Sequence, residues 1–471
     1  MIWGWQRATS RACIAAVAVL FAGSIAFAPA HAADLGGDCC ADLEDRIAEL
    51  EATAVRKGNR KVSVALSGHI NKLIMWWDDG VNDDVYVLDN AQSESRFRLR
   101  GSANIAPGWS AGFLIEMELI SAESKNANAR VDGAPNENAD GFIRNRKTSW
   151  HLKNDQLGKI TVGRDSSAAD DILLLNLAKN PIADAHPKLS NAFRPVRPTG
   201  TLGCSGASCR TGLVQNIIAP NLDRTRTDIV RYDTPSLFGL VLSAAWGEDD
   251  VADVAIRYKK EWNSVRLAFG IGYLWDTDER EGVIVCPDGL MQANCVAQRV
   301  DFERLAGSLS VMHVPSGLYV YAAGDRDGFG TSNAAPPLRA TVFTAPITGR
   351  NPDGGTMWYL QAGVKRPLLA PALGATTLYG EYQEFYDFGV RRDAGSLLGL
   401  ARGNSEITDS STDLWGVGIV QDIDPAAMKL YAGLRYWDFD VSAATAADAP
   451  DGQEVSLEDF ISIAAGGRIH F

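Results

Sequence analysis

Residues 461–471 read ISIAAGGRIHF. Counting back from Phe471, the residues Ile469, Gly467, Ala465, Ile463 and Ile461 fall on every second position. His470, Arg468, Gly466 and Ser462 occupy the positions between. Side chains along an extended strand alternate between two faces, so this segment has an apolar wall and a polar wall. In a helix both sets would scatter around the axis.

The same period of two recurs upstream. Val62, Val64, Leu66 and Ile70 alternate with Ser63, Ser67, His69 and Asn71. Phe113, Ile115, Met117 and Leu119 alternate with Gly112, Glu116 and Glu118. Further runs begin at Val265, Trp415 and Leu430. Many runs are joined by short turn-like links: IAPGWS, KNDQLG, DTPSLFG, KKEWNS, VPSG, PLLAPALGA and DIDPAA. The links on the other side are long and polar, at 122–142, 165–226, 276–301, 325–355, 387–412 and 440–456. The runs number roughly sixteen, and short turns at one end with long loops at the other are the pattern of a transmembrane antiparallel β-barrel. A soluble sandwich also alternates. The persistence of the apolar set favours the barrel, as do aromatics at run ends (Trp76, Trp77, Trp109, Trp275, Trp415, Tyr436) that suit interfacial girdles.

Bulk properties fit this class. The 471 residues carry a formal charge of −13, which argues against a nucleic-acid partner. Forty-five glycines and twelve tryptophans suit a strand-rich chain with many turns. Beyond the N-terminus no segment approaches the roughly 20 apolar residues of a spanning helix.

The chain divides into three parts. Residues 1–32 read as a signal peptide: Arg7 and Arg11, an apolar run from Ala12 to Ala28, then Ala30-His31-Ala32 as a cleavage site. Residues 33–61 carry Leu43, Ile47, Leu50 and Ala54 at heptad spacing, which predicts a short helix that packs on its own chain or on copies of itself. Residues 62–471 would be the barrel. After signal removal, Cys204/Cys209 and Cys286/Cys295 form two local pairs in loop-like sequence, compatible with disulfides in an oxidising compartment. A metal site is the rival reading, with no histidine close to either pair.

Residues 95–101, SRFRLRG, sharpen the expectation. Arg96, Arg98 and Arg100 share one face, with Phe97 and Leu99 on the other. An arginine facing lipid near the midplane costs about 2–4 kcal/mol, so all three must look into water. Phe97 and Leu99 then face lipid or a neighbouring subunit.

At motif level the mature chain resembles the general porins of alphaproteobacteria. The block DCCADLEDRIAELEATAVRKGNRKVSVALSGHINKLIMWWDDG (38–80) is similar to that family's N-terminus, where the resemblance implies a short periplasmic helix. NRKTSWHLKNDQLGKITVGRD (145–165) resembles the strand pair before the constriction loop, and DIVRYDTPSLFGLVLSAAW (228–246) the pair after it. The resemblance implies a sixteen-stranded barrel, a homotrimer and a third extracellular loop folded into the pore, here 165–226. It matches Arg96, Arg146 and Arg231 to the family's wall arginines, with Arg98 and Arg100 beside them. Asp170, Asp171 and Asp184 are the acidic candidates on the loop, where the family's PEFGG-type motif is absent. The apolar stretch ILLLNLAKN would pack on the wall. Opposed charges across a narrow wet gap would then select among solutes. Two structural readings compete: the arginines pair with Glu116 or Glu118 and stiffen the wall, and Asp170 and Asp171 cap a loop helix.

The strand ending at Phe471 resembles the signal read by the outer-membrane barrel assembly machinery. The mature start Ala33-Asp34 resembles that of barrels linked to peptidoglycan. Lipopolysaccharide and outer-membrane lipids would surround the barrel. No nucleophile elbow, zincin, P-loop or dinucleotide fingerprint occurs in a suitable context, so neither catalysis nor a cofactor or metal is expected. The expected function is passive diffusion of small hydrophilic solutes and ions. A substrate-specific porin and a tether or adhesin built on 33–61 are the alternatives.

Overall fold

The computed structural model describes residues 61–129, 131–132, 143–189, 193, 195–198, 226–247, 250–276, 281–285, 296–331, 354–388, 405–445 and 453–471. The signal segment, the heptad segment, Ala33 and Asp34 lie outside these residues. So do Cys204, Cys209, Cys286 and Cys295, and the pairing of Cys204 with Cys209 and of Cys286 with Cys295 stays an expectation of the sequence. Among the described residues the strands are β1 (Ser63–Asp78), β2 (Asp83–Asp89), β3 (Arg96–Ala106), β4 (Trp109–Leu119), β5 (Ile143–Asn154), β6 (Gly158–Ser166), β7 (Arg226–Asp233), β8 (Leu240–Gly247), β9 (Val251–Trp262) and β10 (Val265–Asp276). They continue as β11 (Glu281–Val285), β12 (Val296–His313), β13 (Leu318–Thr331), β14 (Thr356–Arg366), β15 (Thr376–Tyr386), β16 (Ser405–Ile423), β17 (Met428–Thr445), β18 (Gln453–Glu454) and β19 (Phe460–His470).

These nineteen strands form one antiparallel sheet. β2, β11 and β18 are short additions, and the remaining sixteen form a closed barrel. Closure joins β1 to β19, with Ile70 opposite Ile469 and Trp76 opposite Ile463. Phe471 completes the seam: its N–H donates to Gly68 O at 3.1 Å and its carbonyl accepts from Gly68 N at 2.8 Å. The Phe471 ring lies over Gly68, where a Cβ would come within 2.6 Å of Cζ. A closed barrel satisfies every wall peptide without an edge, which a hydrocarbon environment demands. The seven short links named from the sequence all fall at one end, and at the other end the β1–β2 turn and the β8–β9 link are also short. At the two-residue link Asn263-Ser264 both residues have positive φ, the requirement of a type I′ hairpin turn.

One wall strand is interrupted. β2 pairs with the upper half of β1 and β3 with its lower half. Between them residues 90–95 fold inward, and Asn90 and Ala91 are buried. The start of the β4–β5 loop fills the gap: Asp89 N donates to Ala122 O at 2.6 Å, and Ser124 N donates to Asp89 O at 3.0 Å.

The outer face carries the apolar set. Ile74, Trp150, Trp246 and Val417 are each more than half exposed, at 55, 54, 60 and 59 %. Side chains of this kind are stable at such exposure only against lipid or another apolar surface. Trp76 and Trp77 divide between the faces. Trp77 is not a girdle residue: it is buried on the inner face, 4.9 Å from Phe193 and 5.8 Å from Tyr86 by ring centroids. Adjacent strand residues must point opposite ways, so a Trp-Trp pair cannot serve one belt. Several strands also run farther than the apolar alternation indicates, β13 reaching Thr331 and β17 Thr445. Pairing persists above the apolar band: on β17 the outer face turns polar with Asp438 and Asp440, while Phe439, Val441 and Ala443 stay buried on the inner face.

The buried core lies inside the barrel, between wall and loop. Residues 167–189 run along the inner face from β9 round to β1. Ala168 N donates to Asp253 Oδ1 at 3.0 Å. Ile172 and Leu175 then sit on a floor made by β10, where a Cβ on Gly270 would approach Leu175 Cδ1 to 2.6 Å. The wall grips the loop backbone thereafter: Ser308 donates to Ile172 O, Tyr321 to Leu173 O, and Gln383 Nε2 to Ala185 O at 2.9 Å. Asn90 Nδ2 reaches Pro181 O at 3.1 Å. These side chains supply partners to loop peptides that are out of water and would otherwise be orphaned. Ile172, Leu173, Ile182 and Leu189 are each no more than 2 % exposed.

Candidate functional site

The inner faces of β3, β4 and β5 bring a set of arginines onto a set of glutamates. Register alone requires this, because Arg96 stands opposite Glu118 and Arg98 opposite Glu116. Glu116 is at the centre. It accepts from Arg146 Nε at 2.8 Å and from Arg98 Nε, and Arg96 Nη1 lies at 3.5 Å. Arg146 also donates to Glu94 Oε2 at 2.6 Å and lies 3.5 Å from Glu118. A bulge in β5 lets Arg146 reach between strands, since Glu116 pairs with Lys147 and Met117 with Asn145. Arg144 binds Glu118 at 2.9 Å, and Lys125 joins Glu94 and Glu123 at 2.6 and 3.0 Å.

The cluster therefore holds five cations on four carboxylates, Glu94, Glu116, Glu118 and Glu123, each buried. Buried charges survive only when paired in this way. Oxygens of Glu94, Glu118 and Glu123 lie within 4.8 Å of one another, a spacing a metal ion could use. Lys125, Arg144 and Arg146 already neutralise them, so the donor set suits an ammonium and guanidinium network instead.

The other wall residues have different settings. Arg100 is exposed and makes no ion pair among the described residues. Arg231 stands apart on β7, held to Asp233 at 2.7 Å and donating to Ser166 O and Ser167 O at 3.2 and 2.9 Å. It ties down the root of the inserted loop.

The loop acids are not opposite the arginines in direct contact. Asp170 is buried, 4.0 Å from Arg226, and its Oδ1 accepts from Asp171 N at 3.0 Å. Asp171 precedes a 3₁₀ turn at Ile172–Leu174, in the left-handed region (φ 60°), without a side-chain cap. Asp184 accepts from His186 N at 2.8 Å and from Gln92 Nε2, on the inward fold beside Glu94. Burial pushes the Asp184 carboxyl up to about 6, against the His186 amide and the Lys188 charge.

Sequence reasoning missed Glu94, Glu123, Lys125 and Arg144, which come from loops and strand ends where no period marks them. It also missed Arg435 on Glu381 at 2.8 Å and Arg304 on Asp325 at 2.9 Å. Arg304 stands opposite Asp327 on the neighbouring strand, two residues from Asp325, which was an available signal; Arg435 and Glu381 lie two strands apart with Gly416 between them, and no adjacent-strand pair marks them.

A family model described as Gram-negative porin matches residues 15–458. The chain belongs to that family. Among solved structures, the anion-selective porin from Comamonas acidovorans superposes with a TM-score of 0.53 at 14 % identity, covering 87 % of this chain and 100 % of that one. OmpT, an outer-membrane protein of Vibrio cholerae, gives 0.49 at 11 % identity over 89 and 100 %. Salmonella typhi OmpF, in complex with daunomycin, gives 0.45 at 12 % over 88 and 99 %. No curated protein matches the sequence. This porin is a multi-pass barrel of the outer membrane, so its exposed apolar belt is the lipid surface. The end with the short turns corresponds to the periplasmic side, and the long loops face outward.

Proposed function

We propose that this porin favours small hydrophilic anions. As an outer-membrane porin it is a passive diffusion channel. The finer reading is that solutes pass between the inserted loop and the inner face of β3–β5, with Arg96, Arg98, Arg100 and Arg146 setting the sign of the field. One observation carries it: the inner-wall cluster has more cations than carboxylates, and Arg100 adds an exposed charge with no ion pair among the described residues. Positive charge focused by low-dielectric walls raises the local concentration of anions. Glu116 and Glu118 make the wall stiff as well as charged, so the two readings of the arginines coexist. Kinship with alphaproteobacterial porins, supported by the 38–80 block, and a homotrimer complete the proposal, with Phe471 as the assembly signal. No catalytic role is proposed.

The test is the reversal potential of single channels in a planar bilayer under a KCl gradient. A sign showing chloride preference supports the reading. Cation preference would mean that the loop carboxylates or outer rims control the narrowest level. Current steps in groups of three would support the trimer.

A further inference from the structure

The basic wall does not stop at β3. Across the closure seam, register places Lys429 on β17 opposite Arg468 on β19, His470 opposite His69 on β1, and His69 opposite Arg96. All point inward, on the periplasmic side of the level where Asn90 Nδ2 donates to Pro181 O of the loop and to Tyr431 Oη. Lys429 is neutralised by Asp422 at 2.8 Å and Arg98 by Glu116. Arg468 is not. Among the described residues it makes no ion pair, and its one hydrogen bond runs from Nη1 to Ser93 Oγ at 3.3 Å. Its Nε is buried with no partner. The His69 and His470 rings lie beside it, 5.3 Å apart, and Ser93 Oγ is 3.3 Å from His69 Nε2. At longer range Tyr431 and the Asp422 carboxylate act favourably on the Arg468 charge, and Arg98 acts against it and on His470.

A guanidinium whose Nε is withdrawn from water without a partner is costly, and an oxyanion that presents two oxygens side by side is the group that its fork of donors fits. We propose that Arg468, with His470, Ser93 and Arg98, forms an oxyanion-binding station on the pore wall below the inserted loop. Its ligand is a carboxylate or phosphate group on a small solute in transit. The station rests on the channel reading and extends it from a diffuse field to a discrete site, so that transport of such solutes saturates.

Single-channel conductance of the full-length protein would be measured against concentration in sodium chloride, sodium acetate and sodium phosphate. Chloride steps establish that the channel is open, independently of the station. Saturation in acetate, in phosphate or in both is expected, and the salt that saturates at lower concentration names the preferred group. Arg468→Gln should raise the half-saturating concentration about tenfold, the loss of one charge-assisted hydrogen-bonding partner. Arg266→Gln removes a cation on β10 near the same end of the barrel, bound to Glu261 at 2.6 Å, and should leave saturation unchanged. If Arg468→Gln does not assemble, His470→Gln gives a smaller shift in the same direction. Conductance that stays linear in both oxyanion salts while chloride steps are normal overturns the station. So does saturation that neither variant moves.

Discussion

Replacing Glu116 by Gln is the most direct probe of the charged wall. The carboxylate is 2 % exposed and touches Arg98, Arg96 and Arg146. Amide replacement keeps its size and one acceptor but removes one negative charge from among three guanidiniums. Breaking a buried ion pair on one side costs about 3–5 kcal/mol. The lower end applies here, because Arg146 keeps Glu94 and Arg98 reaches the lumen. The unmasked charge also acts on permeating ions. At about 6 Å in water a unit charge changes an ion's energy by about 0.7 kcal/mol, or about threefold in relative permeability. The E116Q protein should therefore unfold at lower temperature or urea, read by heat-modifiable gel migration, and shift its reversal potential further toward chloride. Adding Arg98→Gln restores the balance and should recover part of both effects. A folded E116Q channel with an unchanged reversal potential would refute the reasoning, since the ions would then not be passing this wall.

Other expectations follow from the same geometry. Gly270→Val places methyl groups where Leu175 and Ile172 now sit, which should cost about 1–3 kcal/mol, loosen the loop and raise single-channel current noise. The Asp184 carboxyl, raised by burial, favours the folded state fully below the ordinary aspartate range. That contribution is lost as pH rises through about 6, so the unfolding midpoint should fall across this window, and Asp184→Asn should flatten the dependence. Phe471→Ala leaves the backbone bonds of the seam in place, so outer-membrane yield should drop far more than the melting temperature of protein that does assemble. If the Ala33-Asp34 start is linked to peptidoglycan, muropeptides from digested cell walls will carry peptides beginning at Ala33; mass spectrometry that finds none removes that role.

The barrel was legible because its cause is periodic. Lipid on one face and water on the other force a period of two, and every short turn named from Gly, Pro, Asn and Asp content lies between paired strands. Inner-wall packing was less legible. Trp77 and Leu73 carry the same letters as lipid-facing residues, and only the loop lying over them makes them core. The arginines could be placed on the inner wall from the lipid cost alone. Their partners could not, because Glu94 enters through an interruption in a strand and Arg146 through a bulge, and neither has a periodic signature. Arg468 was read as polar face and nothing more, since its isolation depends on which strands meet at the seam.

The grip on the inserted loop has a consequence for how such channels diverge. Ser308, Tyr321, Gln383 and Asn90 hold carbonyl oxygens of the loop, a feature every residue shares, so that part of the docking instruction is written in the barrel wall. Loop positions outside the glycine floor are then free to drift, and the eyelet can acquire a new lining while the loop keeps its path. Lineages of this architecture would be expected to lose likeness first in the segment that decides what passes.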